Sequence, residues 1–194
     1  MRPTVSAVKG VIALHFEDQP IIAAVRGKEE LYRACQSPCN IIFLLCCSVL
    51  SLPSCIEHAH KNEKKLFLHI DLAEGIGKDA AGVAYVASLG IDGIITTRVN
   101  ITRYAKECGI TCVQRFFMVD SHSVSTALES VRAAHPDMIE IMPALALKTV
   151  KHLSSMLSIP VIAGGLIEEK EEIFAALSAG ASAVSTGKES LWSV

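Results

Sequence analysis

Pro160-Val161-Ile162-Ala163-Gly164-Gly165-Leu166 decides how this chain is read, together with Ala183-Val184-Ser185-Thr186-Gly187 farther along. Each is a short apolar run that ends in small residues. Between them, Glu168–Ala179 reads as a helix closed by Gly180. Strand, glycine pair, helix, strand, Ser-Thr-Gly is the pattern by which a (β/α)8 barrel holds a phosphate at its last two strands. A glycine lets backbone N–H groups approach an anion where a Cβ would clash. The N-terminus of the following helix would add partial positive charge. Gly164 and Gly165 also suit a plain tight strand exit, and a short motif alone does not choose between the two readings.

Working outward, the same alternation repeats along the chain. Expected strands are Pro20–Val25, Ile41–Cys47, Leu66–Leu72, Gly93–Thr97, Thr111–Val119 and Met138–Met142, followed by the two runs quoted above. Expected helices are Lys28–Gln36, Ser54–Asn62, Lys78–Leu89, Ile101–Cys108, Val124–Ala134, Ala144–Leu157 and Glu168–Ala179. Gly90, Gly109 and Gly180 stand where helices should stop. Asn100 and either Asp120 or Ser121 stand where helices should be capped. Eight alternating units argue for parallel strands with right-handed crossovers, closed into a TIM-type (β/α)8 barrel. A doubly wound open sheet is the alternative. Lys188–Trp192 leaves room for at most a turn, so the last helix is truncated. Met1–Gln19 has weak periodicity and reads as a leading segment that closes one end of the barrel.

The totals agree with one domain. The chain has 194 residues, of which 51% are hydrophobic, enough for a sizeable core. That is short for a full barrel, for which about 250 residues is typical, so connections must be brief and residues 1–194 hold a single domain. A net charge of −2 announces no strong basic field for nucleic acid. Seven cysteines show no pair of CxxC motifs and sit mostly in apolar runs, which suits free thiols in a reducing cytosol. Asn40–Ile56 is uncharged and largely apolar, but serines and Pro53 interrupt it, and a membrane span needs about 20 apolar residues. We expect a cytoplasmic protein without a membrane segment or secretory signal.

In such a barrel, function lies at the carboxyl ends of the strands. The polar residues expected there include Asp71, Glu74, Thr96, Arg115 and Glu140, with Lys78, Thr97, Arg98 and Gln114 nearby. Arg115 and Glu140 each interrupt an apolar run. A charge inside a central strand is costly unless it is paired or faces a polar cavity. Their strands are neighbours, so the two are expected to meet near the mouth, as a buried ion pair or as part of a ligand site. Asp71 and Glu74 suit general acid–base work, and equally suit the start of a helix. His69 reads as an interior histidine; no metal-ligand spacing accompanies it, and no metal or cofactor is assigned. Lys61, Lys64 and Lys65 precede the third strand, at the face opposite the presumed site. They fit a solvated helix end, or contacts with RNA phosphates.

Taken in order, Leu68-His69-Ile70-Asp71-Leu72-Ala73-Glu74-Gly75, Asp92-Gly93-Ile94-Ile95-Thr96-Thr97, Val113 to Ser121, Ile139-Glu140-Ile141-Met142-Pro143, Ile159 to Ile167, and Ala183-Val184-Ser185-Thr186 with Leu191-Trp192 form a specific combination. It resembles the glycerol uptake operon antiterminator family of bacteria, from about Pro20 to Trp192. The resemblance implies a regulator and no catalytic residues: a protein that binds glycerol 3-phosphate and the leader messenger RNA of a glycerol operon, preventing premature termination. It places the ligand phosphate on Gly164, Gly165, Ser185 and Thr186, with Gly187 beside them. Asp71, Glu74, Arg115 and Glu140 match family motif positions. Two features depart from the family pattern: the Cys- and Ser-rich stretch from Leu45 to Pro53, and Gly187-Lys188 where a small polar pair is usual. The RNA role rests on the resemblance alone. A homodimer is a candidate assembly. The competing reading is a small barrel enzyme acting on a phosphorylated sugar-like substrate, with Asp71 or Glu74 as base. A third is a homologue that binds ligand but has lost RNA contact.

Overall fold

Eight parallel strands close on themselves in chain order, β1 pairing with both β2 and β8. They are β1 (Ile21–Val25), β2 (Ile41–Leu44), β3 (Lys65–His69), β4 (Gly93–Thr96), β5 (Thr111–Phe117), β6 (Met138–Met142), β7 (Val161–Gly164) and β8 (Ala183–Thr186). Seven helices wrap them: α1 (Lys28–Cys35), α2 (Leu52–Lys61), α3 (Ala80–Ser88), α4 (Val99–Glu107), α5 (Ser121–Ala134), α6 (Leu147–Met156) and α7 (Lys170–Ser178). After β8 the described residues form a 3-10 turn, Glu189–Leu191, in place of an eighth α-helix, as expected. This computed structural model describes Phe16 and residues 18–194. Most of the expected leading segment, residues 1–19, therefore lies outside the described residues. Among the described residues, no helix is long and apolar enough to cross a membrane.

The strands are apolar throughout because both faces are covered. One face packs inside the barrel: Phe16, Ile22, Ile41, Phe43, Phe67, Ile95, Val113, Met138, Ile162 and Ala183 form a single interior cluster. The other face, with residues such as Ile42, Leu66, Ile94, Ile139 and Val184, packs against the helices. Since side chains alternate along a strand, this parity decides what the mouth of the barrel can contain. Arg115, Glu140, Gly164 and Ser185 each follow an interior residue by two positions and so share its side. Thr96 follows Ile95 directly and faces the helix layer.

Element ends differ from expectation where polar side chains intervene. Helix α5 starts at Ser121, earlier than Val124, because the Asp120 carboxylate accepts the Ser123 N–H at 2.8 Å in a capping box. Helix α3 starts at Ala80, with Asp79 accepting the Gly82 N–H at 2.8 Å. Asn100 caps nothing; α4 begins at Val99, and Arg98 is its cap. Strand β3 ends at His69, and Ile70–Leu72 wind into a 3-10 turn. Asp71 causes this turn: its carboxylate accepts the Thr97 N–H at 2.7 Å and the Thr96 and Thr97 hydroxyls at 2.8 and 2.9 Å.

Candidate functional site

Glu140 is fully buried inside the mouth, and two donors converge on it. Arg115 donates from Nε to Oε2, and the Ser185 hydroxyl donates to Oε1, each at 2.5 Å. Charge-assisted hydrogen bonds of this kind are short and strong. The arrangement depends on Gly164, because a Cβ there would run into both Ser185 Oγ and the Glu140 carboxylate. The bare backbone at Gly164 therefore makes room for the chain's own carboxylate. Arg115 spends only Nε within the chain; its terminal nitrogens have no hydrogen-bond partner among the described residues, and the side chain borders a cavity.

That cavity has a volume of about 380 Å³ and lies between the ends of β5, β6, β7, β8 and β1. Its walls include Arg115, Gly165, Ser185, Gly187, Arg26 and Lys188, a size and polarity suited to a small anionic ligand. Backbone shape contributes as well. Gly165 and Leu166 are both left-handed, with φ of 76° and 59°. For leucine that conformation is strained by roughly 1–2 kcal/mol, and strain of this sort gathers at ligand sites. The N–H groups of Gly165, Leu166 and Gly187 meet no acceptor among the described residues. Thr186 joins the two loops of the cup: its hydroxyl donates to the Ile167 carbonyl at 3.1 Å and accepts the Lys188 N–H at 3.0 Å.

Helix α7 contributes less than its place suggested. It starts at Lys170, and the N–H groups of Glu168 and Glu169 donate to Glu172 Oε2 at 2.8 and 3.0 Å. Two N–H groups at its start are thus satisfied by the helix's own carboxylate.

The structure thus gathers Gly164, Gly165, Ser185, Thr186, Gly187, Arg115 and Glu140 on one side of the mouth. Asp71, Glu74 and Thr96 do not line this cavity. Asp71 is engaged by the β4 end as described above. Burial alone would raise its carboxyl, but the Thr97 N–H and the two threonine hydroxyls outweigh burial and hold it below the usual carboxylate range. Glu74 is tied by its backbone to the loop after β2, its N–H donating to the Cys47 carbonyl and its carbonyl accepting the Val49 N–H, both at 2.8 Å. His69 shares the interior side with Phe67 and is 5% exposed; neither ring nitrogen has a hydrogen-bond partner among the described residues, though Nε2 lies 3.9 Å from Asp71 Oδ2. Burial first, then the nearby Arg115, pushes it down to about 4, so the ring is neutral. Lys61, Lys64 and Lys65 are all engaged, with Glu57 at 2.6 Å, the Ser37 carbonyl at 2.8 Å and Asp92 at 2.9 Å. Among the described residues, no three His, Cys, Asp or Glu side chains cluster as a metal site.

Two cations of the cavity wall were not singled out as site residues in the sequence: Arg26, and Lys188, which stood out only as a departure from the family pattern. Each directly follows a barrel strand or its Ser-Thr-Gly exit, so a count of strand-end residues over β1 and β8 would have found them.

Comparison with known proteins agrees with this fold. Residues 21–192 match the family described as "Glycerol-3-phosphate responsive antiterminator". The glycerol uptake operon antiterminator regulatory protein of Listeria monocytogenes has a crystal structure that superimposes with a TM-score of 0.88 at 32% identity, over 93% of this chain and 98% of that one. An antiterminator-related protein of Thermotoga maritima gives a TM-score of 0.80 at 31% identity, over 89% and 96% of the two chains. The uncharacterised YgcP of Escherichia coli is 31% identical over 90% of this chain and 92% of its own length. Aldolases such as the deoxyribose phosphate aldolase of Aeropyrum pernix, at 19% identity and a TM-score of 0.67, share the fold alone. This chain is a member of the glycerol-3-phosphate responsive antiterminator family.

Proposed function

We propose that the cavity between β5 and β1 binds glycerol 3-phosphate, and that the bound state favours association with the leader messenger RNA of a glycerol operon. The phosphate rests on the backbone at Gly165, Leu166 and Gly187, faced by the spare nitrogens of Arg115 and by Ser185. Glu140 fixes the Arg115 fork and the Ser185 hydroxyl in place. The observation that carries this reading is the cavity itself, where an arginine with unspent donors faces two loops with unspent N–H groups. The ligand acts as a signal and is not turned over, in a cytoplasmic protein that works through RNA, as a homodimer. Strands β5 and β6 supply no lysine for Schiff-base chemistry, which speaks against the aldolase route. A ligand shifts the RNA-competent state only by as much as it prefers that state, so leader RNA must in turn tighten ligand binding.

Calorimetry with glycerol 3-phosphate, inorganic phosphate and glycerol tests the site. Gly187→Val is the cleanest variant. A Cβ at Gly187 meets only the Ala24 carbonyl at 3.4 Å, so the fold accepts it while the side chain narrows the cup. Gly165→Val would be confounded by the left-handed backbone there. We expect Gly187→Val to weaken glycerol 3-phosphate binding by about tenfold or more, equal to roughly 1.4 kcal/mol, with an unchanged melting temperature. Equal affinity would place the ligand elsewhere. Gel shifts of leader RNA with and without ligand test the gating. Steady turnover of a phosphorylated sugar would overturn the regulator reading.

A further inference from the structure

Six of the eleven large apolar side chains that stand exposed among the described residues lie at the barrel mouth: Leu50, Leu72, Phe117, Val119, Leu145 and Leu166, between 49% and 89% exposed. They stand at or just beyond the carboxyl ends of β2, β3, β5, β6 and β7. An apolar surface of that extent marks an interaction face. It is a large share of the roughly 800 Å² that each partner gives to a standard interface. Leu50 is the most exposed of the six, and it is held there. The Ser48 and Ser51 hydroxyls lie 3.0 Å apart, the Ser51 N–H donates to the Ser48 carbonyl at 3.1 Å, and the Val49 N–H donates to the Glu74 carbonyl at 2.8 Å. The serines of the stretch that departs from the family pattern thus build a fixed turn with a leucine at its tip. A side chain already fixed in its exposed position gives up little entropy on docking.

Charge selects the occupant. Exposed Arg26, Arg98 and Lys188 follow β1, β4 and β8, while exposed Glu74, Asp120 and Glu168 follow β3, β5 and β7. The two signs are interspersed round the rim with no excess of cations. Such a rim repels a phosphate backbone as much as it attracts one, and it suits a surface that meets itself. The closed strand order spaces the eight strand ends about one eighth of a turn apart. A two-fold axis laid across the mouth, between β3 and β4 on one side and between β7 and β8 on the other, exchanges β3 with β4, β2 with β5, and β7 with β8. We propose that the barrel mouth is the face on which two copies of this chain meet, about that axis. Arg98 then lies over Glu74 of the partner subunit, Lys188 over Glu168 of the partner subunit, and Leu50 over Val119 of the partner subunit. Each contact occurs twice, as an isologous interface demands. This interface rests on the homodimer proposed above and says where its subunits join. Leu166, Glu168 and Lys188 belong to the cavity wall as well, so the ligand site opens toward the partner.

Sedimentation velocity from low to high micromolar concentration tests the interface. We expect the parent chain to be a dimer. Leu50→Lys and Val119→Glu, both at positions almost wholly exposed in a single copy, should each keep the far-ultraviolet circular dichroism of the parent. Each should raise the dimer dissociation constant by about tenfold or more, as a residue central to an interface does. Mixing the two variants should restore the dimer, because lysine then meets glutamate across the axis while the second contact keeps its native leucine and valine. Phe174→Glu, half exposed on α7 and away from the mouth, should leave the dimer intact. A parent dimer that survives both mouth variants would overturn the interface and leave the homodimer standing. Failure of the mixed variants to re-form a dimer would overturn the two-fold pairing. A parent chain that stays monomeric throughout would overturn homodimer and interface together, and loss of the leader-RNA gel shift in Val119→Glu would then give the face to RNA.

Discussion

Two carboxylates, Glu140 fully buried and Asp71 partly so, stand on opposite sides of the barrel mouth, and they are held in opposite ways. Asp71 takes hydrogen bonds from one backbone N–H and two threonine hydroxyls, and Arg98 stands only 3.7 Å off. Those donors are spent on it, and it does not line the cavity beside Arg115. Glu140 takes one bond from Arg115 and one from Ser185, and its cation keeps its terminal nitrogens unspent beside a cavity. The lesson is that an acid at the end of a barrel strand does not by itself make a candidate site; surplus donors next to open space do.

The largest break in that contrast comes from Glu140→Ala. It leaves Arg115 buried without its partner, and we expect a loss of about 3–5 kcal/mol in urea unfolding, together with loss of ligand binding. A loss below about 1 kcal/mol would mean that the pair is not the keystone of its side.

His69 sharpens the other side of the comparison. A histidine whose folded value lies near 4, against 6.5 ordinarily, keeps its stabilising contribution above pH 6.5 and loses it as the pH falls toward 4. Unfolding free energy should drop by something on the order of 3 kcal/mol across that window, and far less in His69→Asn. A flat profile in the parent chain would show that the ring finds a partner for its proton.

Asp71→Asn should cost about 2 kcal/mol at neutral pH, because hydrogen bonds to a charged acceptor are replaced by weaker ones. A carboxyl held low loses its contribution as the pH falls below its ordinary value of 3.8 and through the folded one, so parent and variant should converge there. Ligand affinity should stay within twofold or so, since an uninvolved surface variant moves equilibria by only about ±0.5 kcal/mol. A large affinity change would join the two sides of the mouth into one site. The smallest effect is expected from Thr96→Val, about 1 kcal/mol of stability with no change in ligand binding.

Much of the fold was legible in the residues. Continuous apolar runs such as Ile41-Ile42-Phe43-Leu44 and Val161-Ile162-Ala163 mark strands covered on both faces, and Gly90, Gly109 and Gly180 mark the helix stops. The Arg115–Glu140 meeting was also legible, since neither charge can sit in such a strand alone. Less legible were the ends of elements. Asp120 starts α5 early, and Asp71 bends the end of β3 into a turn. Both effects depend on side-chain oxygens finding particular N–H groups, and in Asp71's case those groups lie on the next strand.

Local chemistry therefore determined the eight-fold alternation and the small-residue exits of β7 and β8, because periodicity, glycine stops and apolar runs act over a few residues at a time, whereas closure came with the pairing of β1 to β8. Only the tertiary structure decided how the polar residues divide between cavity and scaffold. Thr96 faces outward because Ile95 faces inward, and Gly164 is bare because Glu140 and Ser185 meet across its backbone. Those outcomes are set by strand register and by neighbours far away in the chain, which no short stretch of sequence contains.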